Sequence, residues 1–160
     1  MGQMVVITGL ADGMGRHVAE MLAKSGHSVA GFDMDAKGIA SLASELKDIG
    51  GDHLLETIDI TDRPAILKFR DQVLARYGRV DTVLSNVGIG FFSPFEEVHL
   101  EKALKCLEIN VIGGRRFSRR FFRPCASAAQ ANSSRCRRWW GAFLFPSNPS
   151  IPQANSPLPE

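Results

Sequence analysis

The sequence predicts an α/β fold, a doubly wound parallel sheet, and three observations predict it. Short apolar runs alternate with segments whose apolar residues recur at helical spacing. These runs lead into glycine, asparagine or an acidic residue, and the first passes through a glycine-rich turn into a helix. At 160 residues the chain suits one domain with its own core and not a two-domain enzyme.

Met4-Val5-Val6-Ile7 is the first strand and Arg16 to Ala23 the first helix, joined by the glycine-rich turn. Ser25-Gly26-His27 turns the chain into a second strand, Ser28 to Phe32, which ends at Asp33. From about Ala36 to Ile49 the residues Ile39, Leu42, Ala43 and Leu46 share one helical face, and Gly50-Gly51 closes that helix. A third strand runs from His53 to Ile60. Thr61 or Asp62 then caps a helix that tolerates Pro64 in its first turn and turns Ile66, Phe69, Val73 and Leu74 inward until Gly78. Val80 to Ser85 is the fourth strand, leading to Asn86-Val87-Gly88. Pro94 opens a long helix through Val98, Leu100, Leu104, Leu107 and Val111 that ends at Gly113-Gly114. Such alternation implies right-handed crossovers and a parallel sheet covered on both faces, with a ligand at the carboxyl ends of the strands.

The turn Thr8-Gly9-Leu10-Ala11-Asp12-Gly13-Met14-Gly15 has the composition of a phosphate cradle. A strand running into glycines and then a helix lets the backbone approach a diphosphate closely and aims N–H groups and the positive helix end at its charge. Asp33 lies about 20 residues on, where a carboxylate can accept hydrogen bonds from an adenosine ribose and repel a 2′-phosphate. With Asp12 adding a second negative charge, the expected ligand is NAD over NADP. The alternative for Asp33 is a helix-capping acid, and for the turn a plain strand-to-helix connection.

The spacing Gly9-x-x-x-Gly13-x-Gly15 after Thr8 resembles the cofactor turn of the short-chain dehydrogenase/reductase family, whose domain is Rossmann-like. Asp59-Ile60 resembles the family's third-strand acidic residue and its neighbour, which contact the adenine. Ser85-Asn86-Val87-Gly88 stands where the family has Asn-Asn-Ala-Gly, keeping Asn86 and Gly88 on the cofactor's ribose side. Glu108-Ile109-Asn110-Val111 resembles the helix whose Asn belongs to the catalytic tetrad, so Asn110 is the catalytic candidate. Each residue also has a structural reading: a turn-forming Asp59, an Asn86 in a tight turn, an Asn110 bonded within a helix end. The resemblance implies hydride transfer between the nicotinamide and a small carbonyl or secondary alcohol, and allows a homo-oligomer through the helix near Asn110.

The resemblance covers residues 1–114, read as the NAD-binding domain, truncated after about four strands and four helices. The family's remaining Ser, Tyr and Lys belong beyond Asn110, yet residues 115–160 contain no Tyr and no Lys, and Tyr77 stands elsewhere. A phenol near its ordinary pKa of about 10 needs a nearby cation to work as an acid or base at neutral pH. The chain as written is therefore expected to be inactive.

Charge also divides at Gly114. Residues 1–114 carry 11 Lys and Arg against 16 Asp and Glu, whereas residues 115–160 carry 8 Arg against Glu160 alone. Arg115 to Arg123 has no clean periodicity, and the end is rich in Pro, Ser and Asn, so this stretch is expected to be poorly ordered. One reading makes it a nucleic-acid-binding tail, with Trp139-Trp140 available to stack on bases. The favoured reading is a continuation translated in a shifted frame, which makes nucleic acid an unexpected partner. Rebuilding codons from the last base of each residue and the first two of the next, Ser150 to Pro157 permits Tyr-Thr-Ala-Ser-Lys-Phe-Ala. That is the family's Tyr-x-x-x-Lys, about 40 residues beyond Asn110.

Cys106, Cys125 and Cys136 lack Cys-x-x-Cys spacing, so neither a metal site nor a disulfide framework is expected. No apolar run approaches the roughly 20 residues that span a bilayer, so no membrane partner and a cytoplasmic location are expected. The four histidines are read as solvated or locally bonded.

Overall fold

A computed structural model describes residues 2–91, 94–118 and 121. Four strands, β1 (Met4–Thr8), β2 (Ser28–Asp33), β3 (Leu54–Thr57) and β4 (Thr82–Ser85), form one parallel sheet in the order β3-β2-β1-β4. Val6 lies opposite Ala30 on one side and Val83 on the other, so β1 is central and the chain order reverses between β1 and β4. An open parallel sheet forms its ligand crevice at such a reversal.

Helices α1 (Gly13–Lys24), α2 (Ala36–Ile49), α3 (Arg63–Tyr77) and α4 (Leu100–Leu107) connect or follow the strands. All five residues of β1 are buried, as an unbroken apolar run in a sheet covered on both faces should be. Val5 and Ile7 pack with Ala19 and Ala23 of α1 and Ile39, Leu42 and Leu46 of α2. Met4 and Val6 join the opposite layer, with Ile66, Phe69 and Val73 of α3. Asp62 caps α3 by accepting from the Ala65 N–H at 3.0 Å, and Gly78 ends it in the left-handed conformation at φ 66°. Ala43, expected on the inner face of α2, is exposed.

Two strands are shorter than their apolar runs. His53, expected to open the third strand, uses its ring instead: Nδ1 accepts from the Val29 N–H at 3.1 Å, and Nε2 lies 3.0 Å from the Gly50 carbonyl. Ile58 and Ile60 stay in the core although the strand ends at Thr57. Asp81 precedes β4 and accepts from the Met4 N–H at 2.7 Å through its carboxylate.

The long helix expected from Pro94 is segmented and does not end at Gly113-Gly114. A 3₁₀ turn (Phe95–Glu97) precedes α4, a π-helical turn (Glu108–Gly113) follows it, and helical backbone continues through residues 114–118. The two glycines serve packing. A Cβ on Gly113 would lie 3.0 Å from Ile60 Cγ1, and one on Gly114 2.8 Å from Ser85 Oγ, so side chains there would push the helix off the strand ends. Burial along this run is uneven. Leu100, Leu104, Leu107 and Val111 are exposed, whereas Phe117 and Phe121 are buried against Phe32 and Phe69. The rest of the Arg- and Pro-rich stretch, including Trp139 and Trp140, lies outside the described residues.

Candidate functional site

The carboxyl ends of β1, β2 and β4 bring the glycine turn, Asp33 and the segment Asn86 to Gly88 together. Thr8, expected at the ligand, is fully buried; its Oγ1 accepts from the Asn86 and Val87 N–H groups at 3.1 and 3.3 Å. Its work is to brace β4 against β1. Gly9 takes φ 71°, and a Cβ there would come within 2.9 Å of Val87 Cγ2, so the turn requires glycine twice over. The Gly9 carbonyl accepts from Asn86 Nδ2 at 2.8 Å, and the Gly9 N–H donates to the Phe32 carbonyl at 3.0 Å.

Gly15 starts the contact of α1 with this turn: a Cβ would stand 2.0 Å from the Gly9 carbonyl oxygen. Gly13, at φ 58°, differs. A Cβ there would meet nothing within 4 Å, so open space lies over the first turn of α1, where unpaired N–H groups and the helix dipole favour an anion. Asp12 and Met14 on either side are exposed. Asp12 is the N-cap of α1 yet makes no side-chain capping bond.

Asp33 sits half-buried at the end of β2. One carboxylate oxygen accepts from the Ala11 N–H and the other from the Asp35 N–H, both at 3.1 Å. The capping of α2 falls to Asp35, which accepts from Lys37 N–H at 3.0 Å. Asp33 is thus a carboxylate fixed beside the glycine turn. Asp59 is exposed and accepts from both Thr61 N–H and Thr61 Oγ1 at 2.8 Å, a local turn. The Ile60 side chain points into the core against Gly113.

Asn110 lies in the π-helical turn, a local unwinding that redirects side chains. Its Oδ1 accepts from the Ile89 N–H and its Nδ2 donates to the Ile89 carbonyl, both at 2.8 Å. The side chain therefore holds the segment just after Gly88, and a Cβ on Gly88 would come 3.5 Å from Asn110 Oδ1.

Two residues of this region carry no sequence signal strong enough to single them out. Arg16 ties the turn to α2: its guanidinium donates to the Ala11 and Gly38 carbonyls at 3.0 and 3.4 Å and to Ser41 Oγ at 3.0 Å, and it pairs with Glu45 at 2.5 Å. It also pairs with Glu20, one helical turn on, at 3.4 Å. Cys106 contacts Asn110 and Ile89 through sulfur at 3.3 Å.

Tyr77 is remote from the site, at the end of α3, with its hydroxyl 3.3 Å from the Asp52 carbonyl. Burial, and then the Asp52 carboxylate, push its phenol up to about 12. Arg76 pairs with Asp52 beside it and is raised by that hydrogen bond. No helix among the described residues is long and apolar enough to cross a membrane.

A family model described as short chain dehydrogenase matches residues 3–132. D-threitol dehydrogenase of Mycolicibacterium smegmatis is 31% identical over 112 residues, 70% of this chain and 43% of that enzyme. An alcohol dehydrogenase of the archaeon Thermococcus sibiricus, solved with 5-hydroxy-NADP, superposes with a TM-score of 0.72 at 29% identity, covering 77% of this chain and 53% of that one. NAD+-bound xylitol dehydrogenase shares the fold at 21% identity, with a TM-score of 0.75 over 84% of this chain and 56% of that one. The chain spans less than half the length of the curated relatives it matches, 43% of D-threitol dehydrogenase among them.

Proposed function

Because the chain belongs to the short-chain dehydrogenase family, we propose that the ends of β1, β2 and β4 bind a nicotinamide dinucleotide as the cofactor half of an oxidoreductase site. The observation that carries this reading is the glycine turn between β1 and α1, with the Asp33 carboxylate held against it by the Ala11 N–H at 3.1 Å. When bound, the cofactor would supply a hydride donor or acceptor for a carbonyl or secondary alcohol. The chain's own residues bind and orient it. Backbone N–H groups from Gly13 to Gly15 face the diphosphate, and the Asp33 carboxylate accepts from the ribose, which disfavours a 2′-phosphate and selects NAD over NADP. Asn86 and Gly88 line the opposite side. Asp59 and the Ile60 backbone bound the adenine end.

Asn110 holds this wall and would organise proton transfer, but residues 115–160 supply no Tyr or Lys as its acid–base partners. Tyr77 cannot stand in, being remote and protonated far above neutral pH. The chain should therefore bind NAD and leave NADH unoxidised. Calorimetric titration with NAD, and absorbance of NADH in the presence of aldehydes and ketones, check both parts. Absence of NAD binding overturns the cofactor reading, and NADH consumption overturns the inactivity.

Residues 115–160 are read as a continuation out of frame, supported by the Tyr-x-x-x-Lys that their codons permit, while Phe117 and Phe121 in the core and a family match reaching residue 132 weigh against a shift that starts at Gly114. Sequencing the coding DNA tests it: a frame one base out after about Gly114 that lacks this motif removes the idea. A cytoplasmic location and self-association through α4 belong to the same reading, the latter supported by the exposed leucines.

A further inference from the structure

We propose that Cys106 is a positioning residue for this site, its thiol locking the Asn110 amide and, through it, the segment Gly88 to Gly90. The proposal rests on the cofactor reading above for its functional consequence and on geometry for the lock itself. Cys106 sits one turn before Asn110 on the same helical run and is half-buried, although Leu104 and Leu107 on either side are exposed. Its thiol donates to the Ile89 carbonyl and its sulfur accepts from Asn110 Nδ2, both at 3.3 Å.

Together with the two Asn110–Ile89 bonds of 2.8 Å, this closes a ring of four hydrogen bonds among three residues. Asn110 Nδ2 donates to both the Ile89 carbonyl and the Cys106 sulfur, and the Ile89 carbonyl gains a second donor. The ring fixes the amide's orientation, because Ile89 presents a donor to Oδ1 and an acceptor to Nδ2. Ile89 follows Gly88, and Asn86 and Val87 before it are bonded to Gly9 and Thr8 of the cofactor turn. The segment is thus held at one end by β1 and at the other by Asn110 with Cys106. A thiol is suited to this position, being compact and able to both donate and accept weakly.

Three variants of the full chain separate hydrogen bonding from packing. Cys106→Ser keeps a donor and acceptor, Cys106→Val keeps the bulk, and Cys106→Ala keeps neither. Amide hydrogen exchange at Ile89, measured without cofactor, should be unchanged in Cys106→Ser and about fivefold faster in Cys106→Val and Cys106→Ala, the scale of one modest hydrogen bond. NAD dissociation constants should follow the same order, rising about threefold in the valine and alanine variants. Ile89 exchange in Cys106→Val equal to the original chain overturns the lock, as does a serine variant no better than alanine. If the original chain binds no NAD, the cofactor reading fails while Ile89 exchange still decides the lock. If NAD binds equally to all four proteins, the lock has no bearing on the site and the positioning role is overturned.

Discussion

At Gly13 a Cβ would meet open space, whereas at Gly15 it would collide with the Gly9 carbonyl oxygen at 2.0 Å. Two glycines of one turn thus have opposite physical reasons, which a substitution separates. Gly13→Ala forces an L side chain into the left-handed region, at a cost of about 1 kcal/mol, with no clash. It should leave the fold intact in urea unfolding and yet weaken NAD binding by about tenfold or more, since the methyl enters the diphosphate space. Tyr77 offers a second test at this scale, because it is the single tyrosine and its phenolate absorbance titrates alone. The midpoint should lie near 12 instead of 10. A raised folded pKa means the stability it contributes is fully present below about pH 10 and is lost as pH rises toward 12. Asp33 and Asn86 were legible as strand-end residues because that position is implied by sequence order. The burial of Thr8 and the grip on Ile89 were not, because they depend on contacts 17 to 79 residues apart.

Among the elements, β1, α1, α2 and α3 follow the sequence pattern, Ala43 excepted, since their apolar periodicity and breakers agree with their burial. The helical run after Pro94 departs from it. Leu100, Leu104 and Leu107 repeat at helical spacing, which reads as a core face, yet they are 71, 56 and 55% exposed. Periodicity reports that a helix has an apolar face and says nothing of what covers it. Replacing Leu104 with Glu removes no internal packing, so the thermal midpoint should hold within experimental error. Sedimentation velocity should show less self-association, as expected for an apolar patch turned charged. Gly113-Gly114 misled for a related reason: glycine ends helices in the absence of packing demands, but here the helix must approach Ile60 and Ser85.

For the molecule as a whole, the second layer depends on residues past Gly114. Phe32, Phe69, Phe117 and Phe121 form edge-on and tilted pairs with ring centroids 4.9 to 6.2 Å apart. Phe117→Ala should cost about 3 kcal/mol or more, a large part of the roughly 5–15 kcal/mol that holds a domain together. Urea unfolding of the variant checks this, and an unchanged midpoint would mean that Phe117 contributes no core packing.

The sequence by itself determined the parallel α/β fold, the order of its elements and the glycine turn beside Asp33. Those features are local: hydrophobic period, turn chemistry and helix caps act over a few residues, and parallel connection follows from alternation. Only the tertiary structure decided which glycines clear space and which admit a neighbour, which apolar face is covered, and that Asn110 grips Ile89 with Cys106. These outcomes turn on the approach of segments distant in the chain, where ångström-scale packing selects among several arrangements that the same local pattern permits.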